Sequence, residues 1–371
     1  MNVALIALPS ANTVCIPPLS LAYLATLLEQ RRHIVRIYDL GLDPETAWSS
    51  AFLPLRSFRP HILVVAGDQA ELRTAALEAL HQDQHEHVLV LPMSRSSLDA
   101  HHVCCEALTW IQQQRGGTDG CQQNLAALES IDALPFPSRH LLSLEGYNLR
   151  AVGGELQTTM LIAGRDVRKA GDVVLRVPSQ IVAELRTVAA EFGLRHFLFP
   201  DVLLTMDHAW LVEMLRLLCD AQLMVRWEAS ADAELLDAAL MVPLAQAGCE
   251  ALTLTMRASR VFESAETRHR VSHVVSSAHD QGIYVRANVL LEPPYESVPH
   301  LVDVAATFNL DAVCFEVPAA EVVGASADTT QVAKLAHQIY DAGRDRQRFI
   351  NRFGPALGSL IWRLRGQRGS S

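Results

Sequence analysis

The sequence predicts an α/β protein: an N-terminal doubly wound parallel sheet, then six further β/α units forming a partial barrel. Three observations carry this. Apolar runs of strand length alternate with helix-period segments from residue 2 to residue 114. The alternation stops at "IDALPFPSRHLL", whose prolines prevent regular helix or central strand. It resumes near residue 151 and continues through six units in a row.

In the first part, "NVALIAL" reads as a buried strand and "PPLSLAYLATLLEQRR" as a helix opened by proline. "HIVRIYDL", "HILVVAG" and "HVLVLPM" are the next strands. The helices between and after them are "DPETAWSSAFLPLRSF", "QAELRTAALEALHQ" and "SLDAHHVCCEALTWIQQQ". Ligands of such sheets sit beyond the carboxyl ends of the strands. Here those ends are "PSANTVCIPP", Asp39 to Gly41, "AGDQ" and "PMSRSS".

In the second part the strands are "LQTTMLIA", "HFLFPD", "LMVRWEAS", "ALTLTM", "IYVRANVLL" and "DAVCFEV". Helices are expected at "SQIVAELRTVAAEF", "DHAWLVEMLRLLCD", "AELLDAALMVPLAQAG", "AETRHRVSHVVSSAHDQG" and "SVPHLVDVAATF". Working residues of a barrel lie at the carboxyl ends of its strands.

A chain of 371 residues with 50% hydrophobic and 19% charged residues is long enough for about two domains with large cores. The net charge of -10 and the absence of a basic stripe argue against nucleic acid as a partner. "RDRQRFINRFGPALGSLIWRLRGQR" mixes arginine with apolar residues. It reads as a docked final helix, with a membrane surface or partner as the alternative. The start has no charged n-region, and no run reaches transmembrane length, so a cytoplasmic protein is expected. Seven cysteines stand at irregular spacing with no CxxC pair, as expected of reduced thiols. His101 and Cys105 share a helix face, but two ligands without a further cluster make a poor site. No nucleophile triad, phosphate-binding glycine loop or HExxH is present.

The order of these pieces resembles the cobalamin-dependent radical S-adenosylmethionine (SAM) enzymes, over roughly residues 3–325. "IPPLSLAYLATLLEQRRHIVRIYDL" is similar to the opening of their B12 domain, and "IDALPFPSRHLL" to the linker that follows. "TTMLIAG", "RVPSQIVAEL" and "FLFPDVLLT" are similar to the first barrel strand, the segment after the cluster loop and the second strand. "WEAS", "AGCEALTL" and "EPPYES" fall where the family has its third strand, its fourth strand and the turn after its fifth. The resemblance implies a B12-binding-like domain at 1–118, a linker at 119–150, a radical-SAM-like partial TIM barrel at 151–325 and a helical tail at 326–371.

The same resemblance implies a [4Fe-4S] cluster held by CxxxCxxC. Aligned with it, "LIAGRDVRKAGD" carries Arg165, Lys169 and Asp172 in place of the three thiolates. None of them is a soft ligand, and arginine does not deprotonate in proteins. The cluster is therefore expected to be absent. SAM binding is not expected either: the family's Gly-x-Glu reads Thr255 and Arg257, and Pro293 and Pro294 remove backbone donors from the turn after the fifth strand. Cobalamin stays open. The turn "LPMSRSS" lacks the family's glycines, while the polar turns around Ser10, Asn12, Gly67 and Asp68 offer a small-molecule groove.

Candidate working residues are Asp201, Glu228, Arg257 and Glu292, with Glu316, at or near strand ends. The carboxylates among them would serve acid/base chemistry, or pair with Arg165 and Arg257 and fill the barrel mouth. Arg165, Arg168 and Lys169 read as a solvated loop or as an anion site. Trp227 and Cys249 read as packing, and His196 and His208 as surface or cap residues. Three functions follow. The first is a non-catalytic scaffold or activator, partnered with an active radical SAM homologue in a biosynthetic pathway or with itself. The second is a repurposed enzyme doing cluster-independent polar chemistry or two-electron methyl transfer. The third is a cobalamin sensor.

Overall fold

The structure is a computed structural model. It describes residues 1–9, 16–42, 54–67, 73–74, 76–77, 80, 87–92, 100–114, 132, 134–147, 149, 158–167, 172–200, 202–258, 264–291 and 307–316. The architecture is α/β, with a four-stranded parallel sheet, a six-stranded parallel sheet and a two-stranded hairpin.

The first sheet contains β1 (Asn2–Ala7), β2 (Ile34–Asp39), β3 (Ile62–Gly67) and β4 (Val88–Pro92), in the order β2-β1-β3-β4. Alternate side chains go to opposite faces of a strand. Val3, Leu5 and Ala7 therefore pack with helices α1 (Leu19–Gln30) and α2 (Ala100–Gln114). Ala4, Ile6 and Leu8 pack on the other face with Leu55, Phe58, Ala76 and Leu80. With both faces covered, β1 and β3 have no polar alternation, as parallel central strands require. The strand order reverses between β1 and β3, so the doubly wound arrangement expected from the sequence is present.

Helix α1 starts after two prolines, where a missing N–H costs no helical hydrogen bond. It is buried along nearly its whole length, as an all-round apolar helix must be. The proline-containing segment lies against it. Ser138 N donates to Ala22 O at 3.0 Å, and the Thr26 hydroxyl donates to Phe136 O at 2.8 Å. Ser138 Oγ donates to Glu29 Oε2 at 2.5 Å. Leu134, Leu142, Tyr147 and Leu149 join the same core as α1. The described part of a stretch that reads as a connector is thus fastened to α1.

The second sheet contains β5 (Thr158–Met160), β8 (His196–Phe199), β9 (Arg226–Asp232), β10 (Cys249–Arg257), β11 (Tyr284–Leu290) and β12 (Ala312–Glu316). Its order, β12-β11-β10-β9-β8-β5, follows the chain, as in a (β/α)6 partial barrel. The hairpin strands are β6 (Gly164–Val167) and β7 (Asp172–Leu175). Helices α3 (Pro178–Glu191), α4 (His208–Ala221), α5 (Met241–Gln246) and α6 (Ala265–Asp280) follow their strands.

The helix expected over 233–248 is much shorter. The Asp232 carboxylate accepts from Glu234 N at 2.8 Å and makes a turn there, and a 3-10 turn occupies Ala238–Leu240. Pro243 has no N–H, so a helix can hold it only near its start; α5 begins at Met241. The helix expected at 297–308 lies almost wholly outside the described residues.

The chain forms two compact units: Met1–Leu203 with Asp220–Val225, and Leu204–Cys219 with Arg226–Ser371. In the second, Trp227 is fully buried and its Nε1 donates to Ala247 O at 2.8 Å. Full burial of a large apolar side chain contributes about 1.5–3 kcal/mol. Among the described residues no helix is long and apolar enough to cross a membrane.

Candidate functional site

In the first unit, the segment aligned with the family's cluster loop is an antiparallel hairpin. Gly164 pairs with Leu175, Arg165 with Val174, Asp166 with Val173 and Val167 with Asp172. Arg176 N then donates to Ala163 O at 2.8 Å. The β-branched residues of "DVVL" favour a strand here. Gly164 permits the closure. A Cβ at that position would lie 2.7 Å from Val174 O and 2.9 Å from a Leu175 methyl. Arg165 and Asp172 are therefore strand residues, and Lys169 lies outside the described residues, in the connection between the strands.

Adjoining the hairpin, at Arg176, is a buried ionic knot. Arg139 NH2 and Glu184 Oε1 are 2.6 Å apart, and Arg176 NH1 and Glu184 Oε2 are 2.7 Å apart. The same guanidiniums donate to the chain around β5: Arg139 to Met160 O at 2.8 Å and Arg176 to Ile162 O at 3.0 Å. The Tyr23 hydroxyl, on α1, accepts from Arg176 NH1 at 3.4 Å. Burial alone would raise the Glu184 carboxyl, but the two guanidiniums outweigh it and hold the group below the ordinary carboxylate range. Burial and the nearby Glu184 charge push the Tyr23 phenol up, so it stays neutral. Sequence reasoning missed all three charged residues. For Glu184 a signal existed: it lies in the stripe Ile181, Glu184, Leu185, Val188, a core position of α3.

In the second unit, β9, β10 and β11 each alternate. Trp227, Ala229, Ala231, Leu252, Leu254, Met256, Val285, Ala287 and Val289 form one buried apolar face. The other face carries Glu228, Ser230, Asp232, Thr253, Thr255, Arg257, Arg286 and Asn288. A polar face is unusual for parallel strands, which commonly bury both sides. Its charged groups interact. Arg286 NH2 donates to Glu228 Oε2 at 2.6 Å, and Arg286 Nε donates to Thr253 Oγ1 at 2.6 Å. At the carboxyl ends, Arg257 and Glu316 both stand level with Leu290, one strand to either side of it. Cys314 donates to Glu316 Oε1 at 3.7 Å, and burial together with that carboxylate raises its thiol pKa.

Glu228 therefore lies in the first half of β9, where it pairs with Arg286. Arg257 closes β10, and Glu316 closes β12. Asp201 and Glu292 lie outside the described residues, as do Ser10, Asn12 and Asp68. Gly67 ends β3, where a Cβ would lie 2.7 Å from a Leu8 methyl; its carbonyl accepts from Arg73 at 2.8 Å. His196 is buried rather than superficial, and its Nδ1 lies 2.9 Å from Thr158 Oγ1. His208 is exposed at the start of α4. Trp227 and Cys249 are buried in the apolar core, as expected.

No family model and no curated protein matches the sequence. Solved structures do. The radical SAM methyltransferase TsrM from Kitasatospora setae, with cobalamin and a [4Fe-4S] cluster bound, aligns at 14% identity and a TM-score of 0.58 over 85% of this chain and 74% of that one. The same enzyme with tryptophan substrate and the SAM analogue aza-SAM aligns at 14% identity and a TM-score of 0.57, over 85% and 72%. The apo form of OxsB, a cobalamin-dependent SAM radical enzyme, aligns at 12% identity and a TM-score of 0.54, over 82% of this chain and 51% of that one. The chain thus has the fold of cobalamin-dependent radical SAM enzymes, and it spans about half the length of OxsB.

The residues that the resemblance aligns with the family's cluster cysteines are not thiolates. Cluster irons take thiolates, and residues 161–176 contain no cysteine. The two aligned positions that are described pair with valines in a ladder. Among the described residues no group of three or more His, Cys, Asp or Glu could hold a metal ion. The turns that would meet a corrinoid, 10–15, 68–72 and 93–99, lie outside the described residues.

Proposed function

We propose that this chain is a non-catalytic protein of radical SAM fold, which acts as scaffold or activator of an active cobalamin-dependent radical SAM enzyme in a biosynthetic pathway. The observation that carries this reading is the hairpin at residues 164–175. Arg165 and Asp172 stand in a paired ladder where iron-binding thiols would be needed. Without a cluster there is no electron to cleave SAM. The Glu228–Arg286 pair adds support, because an acid and a base that neutralise each other are poorly placed to move protons. The role of the chain's own residues is then structural: the knot at Glu184 holds hairpin and linker in place for a partner to meet.

Metal and cofactor content tests this. Protein purified anaerobically with iron, sulfide and hydroxocobalamin supplied should carry no stoichiometric iron. It should also co-purify with an active homologue from its native lysate. Stoichiometric iron with a charge-transfer band in the visible spectrum would overturn the reading.

A second reading has one observation in its favour. The polar face of β9–β11, with Arg257 and Glu316 at the carboxyl ends, suits cluster-independent polar chemistry. It requires that Arg257→Ala abolish formation of the pathway's product. The scaffold reading requires that product formation persist.

A further inference from the structure

Helix α6 buries Val271, Val274, Val275 and Ala278. The opposite stripe is Glu266, His269, His273 and Asp280, all exposed. His269 and His273 are one turn apart on one face, with Cβ atoms about 5–6 Å from each other. Two imidazoles at this spacing on a helix can grip a single ion, the geometry that the helical HExxH motif uses. Among the described residues neither ring has a hydrogen-bonding partner, whereas His279 of the same helix is held 3.0 Å from Asp311. The helix is firmly built, so the backbone positions of the pair are fixed one turn apart. The Ser264 hydroxyl caps its start by accepting from Thr267 N at 3.2 Å, and the valines anchor its length.

We infer that His269 and His273 form a chelating site for one borderline divalent cation: zinc, nickel or copper(II). Imidazole nitrogen suits these ions and not magnesium or calcium. Among the described residues no third ligand completes a group with them, so the other coordination positions are assigned to water. Glu266, one turn before His269, adds attraction, while Arg270 beside the pair opposes it. The site is remote in kind from iron–sulfur chemistry and independent of the function proposed above.

The test uses the untagged full chain stripped of metal and titrated with zinc or nickel chloride by calorimetry. Copper(II) is followed by electron paramagnetic resonance. The parent protein is expected to show a component with two nitrogen ligands. His269→Ala and His273→Ala should each remove that component and lower uptake by one ion per chain. His208→Ala, on another exposed helix start, should leave it in place. If the double variant takes up as much metal as the parent, or if each single variant keeps the parent's two-nitrogen signal, the site does not exist. Circular dichroism of the variants should be unchanged, because both side chains are exposed.

Discussion

Glu228 and Arg286 meet at 2.6 Å although a whole strand separates them. Glu228 is on β9 and Arg286 on β11, with β10 between. Ala251 stands opposite Glu228 on β10 and carries only a methyl, which leaves room for the guanidinium to cross. Thr253, level with Arg286, accepts its Nε. The carboxylate is buried and the guanidinium is partly open to solvent, so the two halves of the pair should respond unequally to substitution. Arg286→Ala removes the guanidinium from a buried carboxylate and should cost about 3 kcal/mol, near the lower end for a broken buried pair. Glu228→Gln keeps one acceptor for the guanidinium and should cost about 1 kcal/mol. Urea unfolding of the two variants measures both, and equal losses would contradict this asymmetry.

The Glu184 knot sets an acid limit. Its folded-state carboxyl is held below the ordinary glutamate value of 4.5 by Arg139 and Arg176. A group depressed on folding contributes its stabilisation above the unfolded pKa and loses it as pH falls through the folded one. The contribution is therefore complete at neutral pH and erodes below about pH 4.5. Glu184→Gln should destabilise at pH 7 by about 3–5 kcal/mol, because two buried guanidiniums lose their counter-charge. The stability curve of this variant should be flatter than the parent's below about pH 4.5. Unfolding midpoints recorded from pH 3 to pH 7 test both points.

Gly164→Ala should open the hairpin. The added carbon meets backbone, Val174 O at 2.7 Å, which cannot rotate aside as a side chain would. Overpacking of this kind costs about 1–3 kcal/mol. Hydrogen exchange at residues 164–175 should quicken, and trypsin should cut more readily after Arg165. Unchanged exchange would mean that the ladder tolerates a side chain there.

Trp227→Phe removes the donor to Ala247 O and leaves a space in the apolar layer. A loss of about 2 kcal/mol is expected, part from the orphaned carbonyl and part from the smaller ring. The variant should remain folded, with a lower midpoint in thermal unfolding.

Most strands could be read from the sequence because each is a short apolar run of the right length, bounded by turn residues. The parallel order followed from the helices between them. The hairpin was not legible. Its strands are four residues each, and "GRDV" has charge where a strand pattern expects alternation. The knot joins residues far apart in sequence, and nothing local to Arg139 marks it as buried. The polar barrel face was legible in principle, since "WEAS", "LTLTMR" and "VRANVL" all alternate. Its main ion pair was not, because strand register decides that Glu228 reaches Arg286.

The contact between Arg139 and Glu184 bears on how such a chain can be dissected or inherited. A fragment beginning after residue 150 would leave behind Arg139 and Tyr23, and with them half of what neutralises Glu184. A fragment ending there would expose the Arg139 guanidinium and the apolar core that Met160 and Ile162 help to close. Neither piece would be expected to travel well alone, in a test tube or between genomes. A lineage that keeps one half has reason to keep the other.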